Sequence, residues 1–379
     1  MVEAIPWKHM SVIEKIAAAF ERKDYREAAQ LVSALLQQYP QNPWGQVYLG
    51  RLHEVSGKLE AAESVYRQLL RNALNPKIAD QARQGLQRLQ AIVKQKREKA
   101  IAQAKADTQN TEPGVLILEP VSAETKAEAA KHFARIMELD PYTARLQLPT
   151  RNWRLYRTGT MAELGVYVAE LKQAGIPAFC VSLAKSQEIR VFRVSYFLSD
   201  SPSAIAVCKD ESNQIGQINF NWSEVAQRVE GLLPIFKNYA EFDILHGEVE
   251  YKEQTHEYAH ICDLHLSSRR CILRLLDQTY EFQQGVSLTP AQQVPLGRGV
   301  TGSTANFSSN WNALVNWLNR QLPESKVWSD FTPFGEAVIN RADLLRPVKS
   351  YIDVFRRTES NWDPAFEFYS RLVFLRGGL

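Results

Sequence analysis

The chain predicts an α+β protein whose N-terminal part is all helical, and three observations carry that expectation. Residues 9–74 hold apolar side chains at helical spacing, broken only at turn residues. Past residue 114 the pattern changes to short apolar runs and alternation of period two, the mark of strands. Beyond residue 306 helical spacing returns. A chain of 379 residues also exceeds one ordinary domain.

Four helices open the chain, at 9–23, 25–39, 43–56 and 59–74, with Pro40, Asn42-Pro43 and Asn75-Pro76 between them. Residues 77–105 read as one long helix, apolar at Ala79, Ala82, Leu86, Leu89, Ile92 and Val93, a stripe able to cover what precedes it. Its end is basic, with Lys94, Lys96, Arg97, Lys99 and Lys105. The polar stretch 106–113 reads as a linker. The body then gives strands at 115–118, 153–156, 176–183, 189–197, 204–208 and 214–220, and helices at 123–139, 160–174 and 222–233. A ferredoxin-like layer and a half-open barrel capped by a helix both fit that order. Strands at 242–250, 258–266, 271–276 and 279–283 follow, then a Gly- and Pro-rich loop at 285–306 and helical patches at 311–318, 334–339, 347–356 and 363–375. The expected division is 9–105, linker 106–113, 114–235 and 236–379.

The helical segment repeats itself every 34 residues. Tyr25-Arg26-Glu27-Ala28 aligns with Leu59-Glu60-Ala61-Ala62, and the offset sets Leu31 on Val65, Leu35 on Leu69 and Leu36 on Leu70. The second copy adds Leu49-Gly50, Gly57 and Tyr66 at helix–turn–helix spacing. This segment, about residues 9–105, resembles the tetratricopeptide repeat, whose pattern is W-x2-L-G-x2-Y, A-x3-F and P. The departures are specific: Gln46 stands in the Trp position with Trp44 two residues early, His53 replaces Tyr, and the first copy lacks the Leu-Gly pair. Two copies fall short of the three or so that a free-standing stack needs, so the 77–105 helix is expected to act as a cap.

The resemblance implies a concave groove lined by the first helix of each pair. Carried over residue by residue, that lining is Met10, Ile13, Ala17, Phe20 and Glu21, then Trp44, Val47, Arg51, Glu54 and Val55. The partner-binding set taken from it is Ile13, Ala17, Phe20, Trp44, Val47, Arg51 and Glu54. Apolar and charged groups mix there, as a peptide-binding surface requires. Ile13, Ala17 and Val47 occupy three of the places where chaperone-tail-binding members carry carboxylate-clamping residues, which argues against a chaperone-type role.

Other constellations are weaker. His256, His260, Cys262, His265 and Cys271 are dense in metal-ligand types, but strand alternation turns His260 and Cys262 away from His265, and the spacing fits no zinc pattern. Gly297-Arg298-Gly299-Val300-Thr301-Gly302 matches G-x-G-x-x-G without the preceding strand or immediate helix that dinucleotide binding needs. Arginines and aromatics interleave at Arg151, Trp153, Arg154, Tyr156 and Arg157, with Arg190, Arg193, Arg269, Arg270 and Arg274 later, a pattern that can hold single-stranded nucleic acid. The carboxylates Asp243, Glu248 and Glu250 are scattered, and no Ser/His/Asp or Cys/His set stands out.

A net charge of +3 is too small to imply nucleic acid, which is disfavoured as a partner. Four cysteines without C-x-x-C spacing and no apolar leader in Met1–Met10 suggest reduced thiols in a cytoplasmic protein. No run is long and apolar enough for a membrane span, which leaves peripheral association through a partner open. The sequence reading is a non-catalytic scaffold or adaptor that holds protein partners in the repeat groove, with no cofactor, no metal and no enzymatic step. The competing reading is a nucleic-acid or small-ligand module in 114–284, with the repeats as accessory.

Overall fold

Helix starts in the N-terminal part are written into its turns. The Asp24 carboxylate accepts from the Glu27 amide, and the Asn42 side chain accepts from the Gly45 amide with Pro43 in the first helical position. The computed structural model describes residues 7–72, 74–106, 111–243, 248–288, 303–356 and 359–377. They fall into two units, Met1–Gln103 and Ala104–Leu379.

The first unit is α1 (Trp7–Glu21), α2 (Tyr25–Gln38), α3 (Pro43–Val55), α4 (Leu59–Asn72) and the long α5 (Pro76–Ala106). Gly57, at φ +74°, takes the left-handed conformation that turns the chain from α3 into α4. Two cores form, and α3 belongs to both. Ile16, Ala19, Phe20, Ala28, Val32, Leu35 and Tyr48 join α1, α2 and α3. Val47, Ala62, Tyr66, Leu69, Ile78, Ala82 and Leu89 join α3, α4 and α5. Ala28 and Ala62, set on each other by the 34-residue offset, are both fully buried.

The second unit contains β1 (Pro113–Leu118), α6 (Lys126–Met137), α7 (Pro141–Gln147), β2 (Arg154–Thr160), α8 (Met161–Gln173), β3 (Ala178–Ser182) and α9 (Leu183–Gln187). Next come β4 (Arg190–Ser199), β5 (Ala204–Lys209), β6 (Ile215–Phe220), β7 (Gln227–Asp243), β8 (Glu248–Leu266) and β9 (Cys271–Leu276). It ends with α10 (Ser303–Gln321), β10 (Lys326–Trp328), α11 (Phe331–Val338), α12 (Ala342–Leu345) and α13 (Trp362–Arg376).

Two sheets result. A three-stranded antiparallel sheet runs β2-β1-β3. Leu116 and Leu118 of β1 pack with Phe133 of α6 and with Leu164 and Leu171 of α8, whereas Val115 and Ile117 join the opposite core. A seven-stranded sheet runs β10-β7-β8-β9-β4-β5-β6, parallel only at β10–β7 and β4–β9. One of its faces joins α11, α13 and the three-stranded sheet through Val229, Leu233, Ala259, Phe334, Phe366 and Tyr369. The other curls round α10, burying Trp311, Leu314, Trp317 and Leu318 against Phe197, Phe220, Leu264 and Leu273.

Several expectations are corrected. Residues 222–233 are not a helix: after one 3₁₀ turn at Trp222–Glu224 they enter β7. Val229, Leu233 and Ile235 then alternate into the core, and Gly231 leaves room for Phe331 and Phe366. Pairing with β8 overrides the helical spacing. The boundary at 235/236 falls inside β7, and the large sheet takes strands from both sides of it. Residues 279–283 form turns that follow β4, with the Glu281 and Val286 amides donating to the Ser195 and Phe197 carbonyls. The 347–356 patch is irregular. Its groups serve distant partners, Phe355 N–H donating to Gln278 and Arg356 to the Pro234 carbonyl. The short helices α7, α9 and α12 and the strand β10 were not foreseen. Residues 242–250 are not one strand: β7 ends at Asp243, β8 begins at Glu248, and these two residues pair antiparallel, with 244–247 outside the described residues. Residues 107–110 of the linker and most of the 285–306 loop also lie outside the described residues; α10 already begins at Ser303. Among the described residues no helix is long and apolar enough to cross a membrane.

Candidate docking groove of the repeat helices

The groove-lining helices are α1, α3 and α5. Trp44 is partly buried and packs against both helical cores. Val47 is almost fully buried between α3, α4 and α5, and Phe20 is buried between α1, α2 and α3. Both serve chiefly as core. Ile13 and Ala17 remain partly open beside the first core. The side chain of Met10 lies outside the described residues.

Arg51 is different. Its guanidinium carbon sits 4.9 Å from the Phe20 ring centre and 5.9 Å from that of Tyr48, and those two rings are 5.3 Å apart. An arginine on an aromatic platform gains cation–π attraction while its edge stays free to donate. Among the described residues no carboxylate stands within ion-pair distance of it, although it is half-buried. Burial pushes the neighbouring Tyr48 phenol above its ordinary pKa, with the Arg51 charge opposing, so that ring stays neutral.

Glu54 is already engaged. Arg88 of α5 grips it with Nε at 3.0 Å and Nη2 at 2.8 Å, and the Tyr66 hydroxyl donates to the same carboxylate. Burial, then Glu54, raise the Tyr66 pKa far above its normal range. Glu54 and Arg88 are 34 residues apart, one repeat period. The first half of α5 therefore acts as the first helix of a third copy, which completes the stack without a second helix of its own. Sequence reading treated α5 only as a cap. Extending the 34-residue offset from Glu54 to Arg88 would have found it, but Arg83-Gln84 has replaced the Leu-Gly pair that marks the second copy.

Tyr66 is wedged between two glycines. A Cβ on Gly50 would lie 2.6 Å from its ring, and one on Gly85 would lie 2.5 Å away. Ring, carboxylate and guanidinium lock α3, α4 and α5 together and so fix the pitch at which Trp44 and Arg51 are presented. A second concavity, of about 410 Å³, lies between α2 and α3 and is lined by Val32, Leu36, Leu49 and Leu52 with Ala29, Ser33 and Gln37 at its rim.

In the second unit the arginine pattern is largely turned to internal use. Arg193 pairs with Asp353 at 2.6 Å, Arg269 with Glu224 at 2.7 Å and Arg270 with Glu188 at 2.7 Å, while Arg154 donates to the Leu146 carbonyl. Arg190 lies over Phe192 and Arg157 over Tyr167. Trp153 is core, in contact with Phe179, Trp328 and Tyr369. Arg274 is fully buried between Asp263 and Glu367.

Among the described residues no group of His, Cys, Asp and Glu could hold a metal. His265, Ser370 and Asp263 do meet, a Ser/His/Asp set invisible in the sequence. His265 Nε2 is 3.0 Å from Ser370 Oγ, which donates to Asp263 at 2.6 Å. Gln227 Nε2 lies 3.3 Å from His265 Nδ1 and also donates to the Val373 carbonyl, while Trp328 donates to Gln227 Oε1. The carboxylate touches the hydroxyl and not the imidazole, and all three groups are closed to solvent. Burial, with help from Arg274, pushes the His265 pKa down to about 3, so the ring is neutral and locked. This is a structural network joining β8 to α13. A cleft of about 210 Å³ opens on the other face beside Glu230, His260, Trp311 and Thr332. The G-x-G-x-x-G motif and the carboxylates Glu248 and Glu250 fall outside the described residues or side chains.

Comparison with known proteins bears out the resemblance read from the repeats. Residues 19–80 match the model of the tetratricopeptide repeat family. Neither curated proteins nor solved structures give a match to the chain. The N-terminal helices are a tetratricopeptide-repeat segment, and it is followed by an α+β body.

Proposed function

We propose that the protein is a non-catalytic scaffold that holds a protein partner in the groove of α1, α3 and α5. The observation that carries this reading is Arg51. Among the described residues, this half-buried guanidinium resting on Phe20 and Tyr48 has no carboxylate within ion-pair distance, on the same helix as the partly open Trp44, while the carboxylate of that helix, Glu54, is already satisfied. Arginine and tryptophan are the residue types that most often anchor an interface. A partner presenting an acidic or carbonyl-rich segment supplies the missing acceptor, and an apolar neighbour covers Trp44. The body acts as the element that the groove connects to a partner, without a chemical step of its own.

Affinity capture with the full chain and with its Arg51→Ala variant tests this. The reading expects proteins captured by the parent to be lost from the variant while both melt alike. Identical capture by parent and variant would remove the groove from the account.

A further inference from the structure

Among the described residues the seven-stranded sheet ends on β6, which pairs with β5 on one side and with no described strand on the other. Natural sheets blunt such an edge with lysine, proline, a bulge or a covering element. Here Ile215-Gly216-Gln217-Ile218-Asn219-Phe220 has no charge and no proline, and its ladder with β5 runs without a register shift. Ile215 is 72% exposed, and Gly216, Gln217 and Asn219 are exposed with it.

The register shows which backbone groups face outward. The Asp210 amide donates to the Gln214 carbonyl at 3.0 Å, which makes that pair hydrogen-bonded. Bonded and non-bonded pairs alternate along an antiparallel ladder. Cys208–Gly216, Ala206–Ile218 and Ala204–Phe220 are thus bonded pairs, whereas Lys209–Ile215, Val207–Gln217 and Ile205–Asn219 are not. The N–H and C=O groups of Ile215, Gln217 and Asn219 therefore point away from β5. Arg269 agrees, donating to the Asn219 carbonyl at 2.7 Å from outside the ladder while Glu224 holds its other edge. A carbonyl has two lone pairs, so Asn219 can still accept a second donor.

We propose that β6 is a strand-addition edge and that its occupant is β6 of a second copy of this chain, antiparallel about a two-fold axis. Self-complementarity selects that occupant. Residues directly opposite in an antiparallel pair share a face. With Ile218 on the axis, Ile218 meets its own copy and Phe220 meets Gly216, apolar against apolar on the face toward α10. On the outer face Gln217 meets Asn219, amide against amide, and these are the residues whose backbone groups point outward. A two-fold interface requires one patch that fits itself, and this register provides it without placing a charge opposite a charge.

Sedimentation equilibrium on the full chain across the micromolar range tests the proposal, with two double variants. Gln217→Lys/Asn219→Lys sets like charges opposite each other, and Gln217→Glu/Asn219→Glu does the same with the other sign. These side chains are exposed and their N–H groups are not used by β5, so the protein's own ladder is spared. The parent is expected to dimerise with concentration. Each variant alone should dimerise roughly tenfold more weakly or worse, and an equal mixture of the two should recover the dimer. A parent that stays monomeric, a lysine variant that dimerises like the parent, or a mixture that recovers nothing would overturn it. Unchanged melting of each variant excludes loss of fold as the cause.

Discussion

Gly85→Ala is the sharpest test of the three-helix stack, because general helix propensity predicts the opposite sign. In an exposed helix this change stabilises by about 1 kcal/mol. At position 85 the new Cβ would sit 2.5 Å from two ring carbons of Tyr66, against an ordinary carbon contact of about 3.5–4.0 Å. The ring cannot retreat, since Gly50 already stands where a Cβ would be 2.6 Å from it, and its hydroxyl is tied to Glu54. Overpacking of this kind costs about 1–3 kcal/mol. The net expectation is a loss of about 1–2 kcal/mol. In a Tyr66→Leu background the obstacle is gone and Gly85→Ala should become neutral or stabilising, a coupling of about 2 kcal/mol. Because the chain has two units, a single melting curve would mix them. Hydrogen exchange on peptides from 43–72 reads the opening free energy of α3 and α4 directly. If Gly85→Ala exchanges like the parent, or has the same effect in both Tyr66 backgrounds, α5 is not the third member of the stack.

Ala62→Leu should overpack the fully buried contact between α3 and α4 and cost about 1–3 kcal/mol, read by the same exchange experiment. Arg274→Met should destabilise the second unit by about 3–5 kcal/mol in denaturant titration, because Asp263 would stay buried without its cation and Glu367 would keep only Arg371. The His265 network predicts an acid-side loss of stability. Its folded pKa, about 3, lies below the ordinary value near 6.5, so between those limits the unfolded chain binds the extra proton. Stability should be flat in this respect above pH 7 and fall by about 1 kcal/mol per pH unit below pH 6. His265→Gln should flatten that slope; an unchanged slope would show that other groups cause it.

What could be read from sequence follows the range of the interactions. The first helices were legible because their caps, turns and 34-residue period are local, and Gly50, Ala62 and Tyr66 carried the motif. The third copy was not, because at the 34-residue offset α5 has Arg83-Gln84 in place of Leu49-Gly50 and Arg88 in place of Glu54, and among the described residues β1 is the next element. In the body, strand alternation marked β1, β4, β5, β6, β8 and β9. It failed for β7, whose start has helical spacing until β8 pairs with it. The buried cluster at Asp263, Arg274 and Glu367 links residues 93 positions apart and left no local trace. Phe20 and Val47 were named as groove residues on repeat position, yet the neighbouring helices bury them. Arg51, at the same kind of position, stays half-buried with its guanidinium on the Phe20 and Tyr48 rings.

The central claim is that Arg51 anchors a protein partner while adding little to folding. The decisive measurement is a titration of a captured partner against the full chain and its Arg51→Ala variant, with hydrogen exchange of 43–72 recorded on both. The account predicts that the partner binds about thirtyfold more weakly, equivalent to about 2 kcal/mol, while the exchange changes by less than about 1 kcal/mol, the worth of the cation–π contact. Unchanged affinity, or a loss of binding matched by an equal loss of helix stability, would contradict it.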